Sequence, residues 1–542
     1  MSHMDITKPE DLLGHASGTG PMRNRQPLYV DFMPPCNSAC PAGENIQAWL
    51  SHSQAGNYFE AFQQIIRDNP FPSIMGRICV SPCQTACNRN HIDSTVNVHA
   101  VERFIGDKAI DEQWQPSFTR AETGKRVLVI GAGPAGLSAA WHLSIMGHSV
   151  EIMESSPRAG GLLHYGIPSY RLPRNILEAE IKRVESLGVI IHLNKKVKDV
   201  IAEKEMGGFD AVFLGIGAQI GKKLATENDK SVPVFDAYSF LREVNEAQIP
   251  ELGESVLIYG GGKLAMYLSR LVKRLGSSAT IIYDGDRKLM PAYDFEADDA
   301  IAEGIEIRFL RKMASIHNKT CLLEIQKTEK SKIIGTGEFE IFEADSIIMA
   351  MGQEGDTEFL RSLPDILFNE DGTPKLSAER MTGHDGIFAG GDIIAGERSA
   401  TIAIGHGKKA AKFINAYLKR EPISKKDKHP TAGYRKLHMW YKTEAPKKEQ
   451  QRLTPALAVK SFDEVITGIN EKEARYESQR CLSCGNCFEC DGCFAACPQD
   501  AIIKLGPGKR YQFDFNTCTG CGVCEEQCPC HAIEMIPEPL KK

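Results

Sequence analysis

Apolar residues along this chain fall into successive rhythms. From Pro34 to about Asp107 they recur at three- and four-residue spacing, as in Ile46, Trp49 and Leu50 and again in Phe59, Phe62 and Ile66, which predicts helices. From Gly124 to about Leu418, short β-rich apolar runs alternate with helical stretches, the pattern of open parallel sheets. Residues 1–30 are polar, rich in Gly and Pro, and show no periodicity, so they read as an arm or a wrap over another surface. Residues 425–452 carry nine Lys or Arg against three Asp or Glu, with Pro430 and Pro446, and read as a linker crossing the surface.

Composition narrows this picture. At 542 residues the chain exceeds what a single core supports, so three or four domains are expected. A hydrophobic content of 42%, 25% charge and a mean hydropathy of -0.26 describe an ordinary globular protein, with no apolar run long enough to cross a bilayer. The N-terminus has neither the charged start nor the apolar core of an export signal, and a cytoplasmic location is expected. A net charge of -6 offers no general attraction for nucleic acid. Sixteen of the seventeen cysteines lie in two terminal groups, which fits metal ligation better than the disulfide scaffold of a short secreted chain. Cys321, alone in the middle, reads as a buried structural thiol.

The C-terminal cysteines are the sharpest chemical signal. Cys487, Cys490, Cys493 and Cys497 precede Pro498 in a C-x2-C-x2-C-x3-C-P run, and Cys518, Cys521, Cys524 and Cys528 precede Pro529 in another. In such doubled runs three thiolates wrap one [4Fe-4S] cube and the fourth cysteine crosses to the other. Cys487, Cys490, Cys493 and Cys528 are therefore expected to hold one cluster, and Cys518, Cys521, Cys524 and Cys497 the other. Zinc is the rival reading, but a tetrahedral site needs two cysteine pairs and not two runs of four with Pro.

Two glycine turns add nucleotides. Strand-like Lys125 to Ile130 runs into Gly131-Ala132-Gly133-Pro134-Ala135-Gly136, a helix follows to about Met146, and the next strand ends in Glu154. In that order the glycines admit a pyrophosphate to the backbone, the helix start supplies N–H donors, and the carboxylate takes ribose hydroxyls. Val256 to Tyr259 leads into Gly260-Gly261-Gly262-Lys263-Leu264-Ala265, and the strand after it ends in Asp284-Gly285-Asp286. An acid there suits a free 2′-hydroxyl and repels a 2′-phosphate, which points to NADH, although Arg287 and Lys288 follow closely and could accept a phosphate. Two dinucleotide folds in one chain suggest a flavin in one and a nicotinamide in the other. Late in the core, Gly386 to Asp392 and Ser399 to Gly407 form a strand, an acid-bearing turn and a helix start. There Asp392 could accept from a ribityl chain, and the Thr401 region could present N–H groups to a flavin ring.

From about residue 34 to 425 these motifs, with Glu154 to Pro173 and Leu289 to Glu296, resemble the small subunit of glutamate synthase and its relatives. Those relatives include the flavoprotein half of dihydropyrimidine dehydrogenase and the NADPH-binding subunit of the bifurcating transhydrogenase. The resemblance implies FAD in a first, split domain, NAD(P)H in an inserted second domain, and iron-sulfur clusters in an N-terminal helical domain. It aligns Glu154, Leu162, Arg171, Val197, Gly391 and Asp392 with flavin-contacting positions, and Gly261, Gly262, Lys263 and Leu264 with the second dinucleotide turn; Gly161, beside Leu162, is a further candidate for cofactor binding. Where the family carries Tyr-Arg-Arg this chain has Tyr283-Asp284-Gly285, in keeping with NADH; where the family has Asn-Thr-Ala-Met-Asp it has Lys263 to Tyr267. The N-terminal cysteines are reduced to Cys36, Cys40, Cys79, Cys83 and Cys87, and Glu102 falls where relatives use a side-chain oxygen as fourth ligand. One cluster on Cys40, Cys79, Cys83 and Glu102 follows, with Cys36 and Cys87 as substitutes or a supporting pair; the other reading has Glu102 capping or salt-bridging a helix. Cys481, Cys484 and Cys530 are left over: they brace the clusters, bind another metal, or shift the ligand register by one pair.

The resulting α/β architecture is an arm (1–30), a helical iron-sulfur domain (31–120), an FAD domain (121–240 and 353–424) split by an NAD(H) domain (241–352), a linker (425–475), and a two-cluster ferredoxin-like α+β domain (476–542). The expected path runs from NADH to FAD, to the clusters, to a partner protein, and needs no acid-base side chain. The combined architecture, with Arg510 to Asp514 and Cys528 to Met535, resembles flavoproteins encoded with dissimilatory sulfite reductase, which makes that enzyme, or a ferredoxin, the expected partner, with an oligomer possible. Other readings are a glutamate synthase small subunit, a stand-alone ferredoxin:NAD(P) oxidoreductase, and a redox sensor or scaffold.

Overall fold

The computed structural model describes residues 23–222, 227–228, 232–330, 332–363, 365–422, 429–506 and 508–538; most of the arm and the start of the basic linker lie outside these. In the N-terminal region, helices Ile46–Ala55, Tyr58–Ile66, Pro72–Ile78 and Val98–Asp111 enclose a core with Ile46, Trp49, Leu50, Phe62 and Ile66. Phe59, grouped with that stripe by spacing, is instead 39% exposed. The buried face of its helix is Tyr58, Ala61, Phe62, Ile65 and Ile66, and one residue of rotation carries Phe59 off it, against the edge of Trp114.

The chain then builds two parallel sheets. One has the order Ile387–Ala389, Ala211–Leu214, Arg126–Ile130, Ser149–Met153 and Ile190–His192, every pair parallel. Alternation along Arg126–Ile130 sends Val127 and Val129 into one core and Leu128 and Ile130 into another, so both faces are covered. The second sheet has the order Glu306–Arg308, Ser278–Ile282, Ser255–Tyr259, Ser346–Met349 and Val234–Asp236, again all parallel. A mainly antiparallel layer containing Arg311–His317, Thr320–Glu329 and Lys332–Glu343 packs beside it, with Cys321 fully buried between them. Gln353–Glu354 pairs antiparallel with Ile220–Gly221, where the chain leaves the first sheet for the second and returns.

The first and last strands of the described residues meet. Arg25–Tyr29 pairs antiparallel with Ile533–Pro537, from Arg25 opposite Pro537 to Tyr29 opposite Ile533, and thereby adds an edge strand to the C-terminal module. The segment before that module lies along the N-terminal helices: Met33 bridges to Thr431, helix Glu471–Gln479 joins Ser478 to Ser53 at 2.8 Å, and buried Arg480 reaches Asp93, Ser94 and Thr95. Among the described residues, no helix is long and apolar enough to cross a membrane.

Candidate functional site

The first glycine turn is built around backbone contacts. Gly131 has a φ of 100° and lies against the Gly215 carbonyl, where a Cβ would come within 2.6 Å; a Cβ on Gly136 would stand 1.9 Å from the Gly131 carbonyl oxygen. Gly133 differs: a Cβ there would meet nothing closer than Gly161 Cα at 3.9 Å, so protein packing does not exclude a side chain. Gly133 lines a cavity and forms the N-cap of helix Pro134–Ile145 without a side-chain cap, leaving first-turn N–H groups for a ligand. Glu154, 4% exposed, accepts from the Ala132 and Ser156 N–H groups, both at 2.8 Å, which fixes its carboxylate on the rim of the same cavity. This bare cradle with an oriented acid fits the pyrophosphate and ribose of FAD.

The second turn repeats the pattern. Gly262 caps helix Lys263–Arg274 without a side-chain bond, and a Cβ on it would meet nothing within 4 Å. Gly261 is closed in by the Tyr283 ring, and Gly260 by the Ala350 carbonyl. Lys263 and Leu264 line the cavity shared with the first turn, so both dinucleotide turns open on one space. Asp284 lies exposed just beyond the strand, while Asp286 is taken up in capping Leu289 N–H at 3.0 Å. Arg287 is engaged by Asp298 at 2.7 Å and faces Asp294 at 3.6 Å.

Of the candidate positions, Gly131, Gly133, Ala135, Glu154, Gly161, Leu162, Gly391, Asp392 and Thr401 line this cavity. Burial pushes the Asp392 carboxyl up against the opposing pull of Arg398 and Lys263. Arg171 lines an adjoining cavity instead, where its Nε is buried without a hydrogen-bond partner, and Val197 is packed in a core. Gly136 supports the turn from beneath. Sequence reasoning missed Gly215 to Gln219 and Arg398, which also line the cavity; the glycines after strand Ala211–Leu214 were the available signal.

Cys79 is the hinge between this cavity and the cysteines. It lines the cavity, and its sulfur accepts from Thr401 Oγ1 at 3.2 Å. Cys40, Cys79, Cys83 and Glu102 are brought together: Cys83 feels Cys79, Cys40 and Glu102, and Cys40 feels Glu102 and Cys79. Burial, then Glu44 and Cys79, push the Glu102 carboxyl up, and Asn69 donates to both Glu102 at 2.8 Å and Glu44 at 3.0 Å. The nearby Arg103 is turned away to Glu464, so Glu102 makes no salt bridge with it. A buried carboxylate among thiols is a donor set suited to a cluster.

The C-terminal cysteines fall into two neighbourhoods. Cys497, Cys518, Cys521 and Cys524 line one small cavity, while Cys493 feels Cys528, Cys487 and Cys490. Cys530 stands 3.8 Å from Cys528, sulfur to sulfur. Its thiol, with the Ala532 N–H at 3.2 Å, pulls the Cys528 thiol down despite burial. All cysteines are free thiols, and among the described residues no three His, Cys, Asp or Glu side chains form a group that could hold a single metal ion.

Comparison with known proteins agrees with these features. The family model for pyridine nucleotide-disulphide oxidoreductases matches residues 93–233 and 125–407. The model for dihydropyrimidine dehydrogenase domain II, a 4Fe-4S cluster domain, matches residues 32–114, and that for a 4Fe-4S dicluster domain matches 486–532. The NADP(+)-dependent formate dehydrogenase subunit beta of Moorella thermoacetica is 31% identical over 525 residues, covering 87% of this chain and 74% of its own. The NADPH-Fe(3+) oxidoreductase subunit beta of Geobacter sulfurreducens is 30% identical over 545 residues, covering 88% and 78%. The glutamate synthase [NADPH] small chain of Escherichia coli is 30% identical over 420 residues, covering 71% and 89%.

Proposed function

The chain belongs to the pyridine nucleotide-disulphide oxidoreductase family, and from that premise we propose that it carries electrons between NADH and a partner protein through FAD and [4Fe-4S] clusters. It is an NAD(P)H-dependent iron-sulfur flavoprotein oxidoreductase. One observation carries the electron path: a single cavity is lined by the first glycine turn, by Lys263 and Leu264 of the second, and by Cys79. FAD, when bound, accepts a hydride from a nicotinamide as an electron pair and releases electrons singly to clusters.

The chain's own residues supply position. Gly131, Gly133 and the uncapped helix start would take the FAD pyrophosphate, Glu154 its ribose, and Asp392 its polar chain; Lys263 and Arg398 line the same cavity and act on the Asp392 carboxylate. Gly262 and its helix start receive the nicotinamide dinucleotide. The Thr401 hydroxyl, bonded to Cys79, joins the flavin end of the cavity to the cysteine group.

NADH is favoured by Asp284, exposed where a 2′-phosphate would lie, and by the engagement of Arg287 with Asp298. The relatives named for NADP(+) or NADPH make this a point of difference to test. Two of them are named as subunits, which supports a protein partner; the resemblance to flavoproteins encoded with dissimilatory sulfite reductase makes that siroheme enzyme the partner of choice. Anaerobic mixing with each nicotinamide tests the nucleotide: NADH bleaches the flavin with a kcat/KM about tenfold or more above that of NADPH, and the reverse preference contradicts the assignment. Addition of purified sulfite reductase together with sulfite, which takes six electrons on its way to sulfide, then drives NADH oxidation through the flavin and restores oxidised flavin once the NADH is spent; no sulfite-dependent NADH oxidation removes that partner.

A further inference from the structure

Four cysteines remain outside the groups described so far, and they converge. Cys36 and Cys87 from the N-terminal helices and Cys481 and Cys484 from the segment ahead of the C-terminal module line one small cavity of about 20 Å³. The cavity formed by Cys497, Cys518, Cys521 and Cys524 has the same volume, about 20 Å³. The convergence is held by a dense set of bonds: Asn88 Nδ2 donates to the Ala432 carbonyl at 2.9 Å and to Cys484 Sγ at 3.4 Å. Arg89 donates to the Arg480 carbonyl at 3.0 Å, and Glu477 accepts from Asn97 N–H at 2.8 Å.

The backbone of the new pair matches that of the ferredoxin-like pairs. In Cys518-Thr519-Gly520-Cys521-Gly522, the residues before and after the second cysteine have φ of 69° and 85°; in Cys487 to Asp491, Glu489 and Asp491 have 57° and 63°. In Cys481-Leu482-Ser483-Cys484-Gly485 the values at Ser483 and Gly485 are 51° and 77°. Ser483 is not a glycine and holds a left-handed conformation only at a cost, so the loop shape is imposed. The shape turns the Ser483 N–H onto Cys481 Sγ at 3.4 Å, as Gly520 N–H is turned onto Cys518 Sγ at 3.4 Å and Ser81 N–H onto Cys79 Sγ at 3.3 Å. Such N–H groups stabilise sulfur that carries negative charge.

We propose that Cys36, Cys87, Cys481 and Cys484 hold a further [4Fe-4S] cluster, assembled from the two ends of the chain between the Cys40 group and the C-terminal module. The donor set has the right chemistry: four thiols, none in a disulfide, in a cavity otherwise walled by groups such as Leu50, Val98 and Leu482. Zinc on four cysteines is the competing occupant, and the metal count below separates the two.

The position matters as much as the ligands. Cys83, next to Cys79 at the flavin cavity, also feels Cys36, and Cys484 is followed at once in the chain by Gly485, Asn486 and the cluster ligand Cys487. The site thus joins the flavin end of the molecule to the C-terminal module. Electrons would cross it one at a time, one neighbour being oxidised by one electron as the other is reduced by one, with no bond or proton change. That role rests on the oxidoreductase reading above; the metal site does not.

The test is a metal count on the full-length chain, isolated or reconstituted anaerobically, with iron, sulfide and zinc measured per FAD. The variant Cys481→Ser/Cys484→Ser loses about four iron and four sulfide per chain relative to the unsubstituted protein and keeps its FAD. Should the double variant fail to fold, seen as lost FAD, Cys36→Ser carries the same test from the other end of the chain with the same loss of about four iron. Unchanged iron in a folded variant overturns the proposal, as does the loss of one zinc in place of iron. Because the count needs no nicotinamide, a protein that NAD(P)H does not reduce yet loses these four iron would refute the oxidoreductase reading and leave the site standing.

Discussion

At the scale of single residues, the two glycines Gly133 and Gly136 separate ligand binding from folding. Gly136→Ala forces a Cβ to within 1.9 Å of the Gly131 carbonyl oxygen, and a loss of roughly 1–3 kcal/mol in stability is expected in thermal or denaturant unfolding. Gly133→Ala meets only Gly161 at 3.9 Å, so the protein folds with near-normal stability but is isolated with far less FAD. Flavin-to-protein absorbance ratios alongside unfolding curves check both. Asp284→Arg, at an exposed position, shifts the NADPH-to-NADH ratio of kcat/KM upward by about tenfold or more without changing the fold. The glycines and Glu154 were legible in the sequence because the constraint on each is local: a turn, a helix start and the end of the next strand. Arg171 and Val197 show the limit of that reading. Alignment places them near a cofactor, but whether a side chain faces a cavity depends on helices packed from elsewhere in the chain.

At the scale of elements, the helix Ala400–Lys419 binds the dinucleotide fold to the iron-sulfur domain. Gly405 lets it approach the loop after Cys40, since a Cβ there would stand 2.1 Å from the Pro41 carbonyl oxygen, and Gly407 lets it approach helix Pro134–Ile145. Gly405→Ala therefore loosens that contact, with a destabilisation of roughly 1–3 kcal/mol and faster iron loss on dilution into chelator. The helices themselves were readable from apolar spacing, whereas the pairing of Arg25–Tyr29 with Ile533–Pro537 was not. Register between strands so distant in sequence leaves no periodic trace. Removing residues 1–30 exposes the edge of Ile533–Pro537, and amide exchange there should rise by about tenfold or more, equivalent to about 1.4 kcal/mol.

At the scale of the whole molecule, the doubled cysteine run, the two glycine turns and the N-terminal cysteines were visible separately, each through its own spacing. What the sequence left unstated was their order in space. Folding brings Cys79 to the cavity shared by both turns, and brings the Cys481 pair, left over as single thiols in the sequence, to Cys36 and Cys87. The account's central claim is that reducing equivalents entering as NAD(P)H at this cavity reach the clusters within the one chain. Anaerobic rapid mixing with NADH, read by flavin absorbance and by freeze-quenched electron paramagnetic resonance, tests it most directly. The account predicts flavin bleaching followed, in the same samples, by the signals of reduced [4Fe-4S] clusters; a holoprotein in which neither NADH nor NADPH bleaches flavin or reduces any cluster would contradict it.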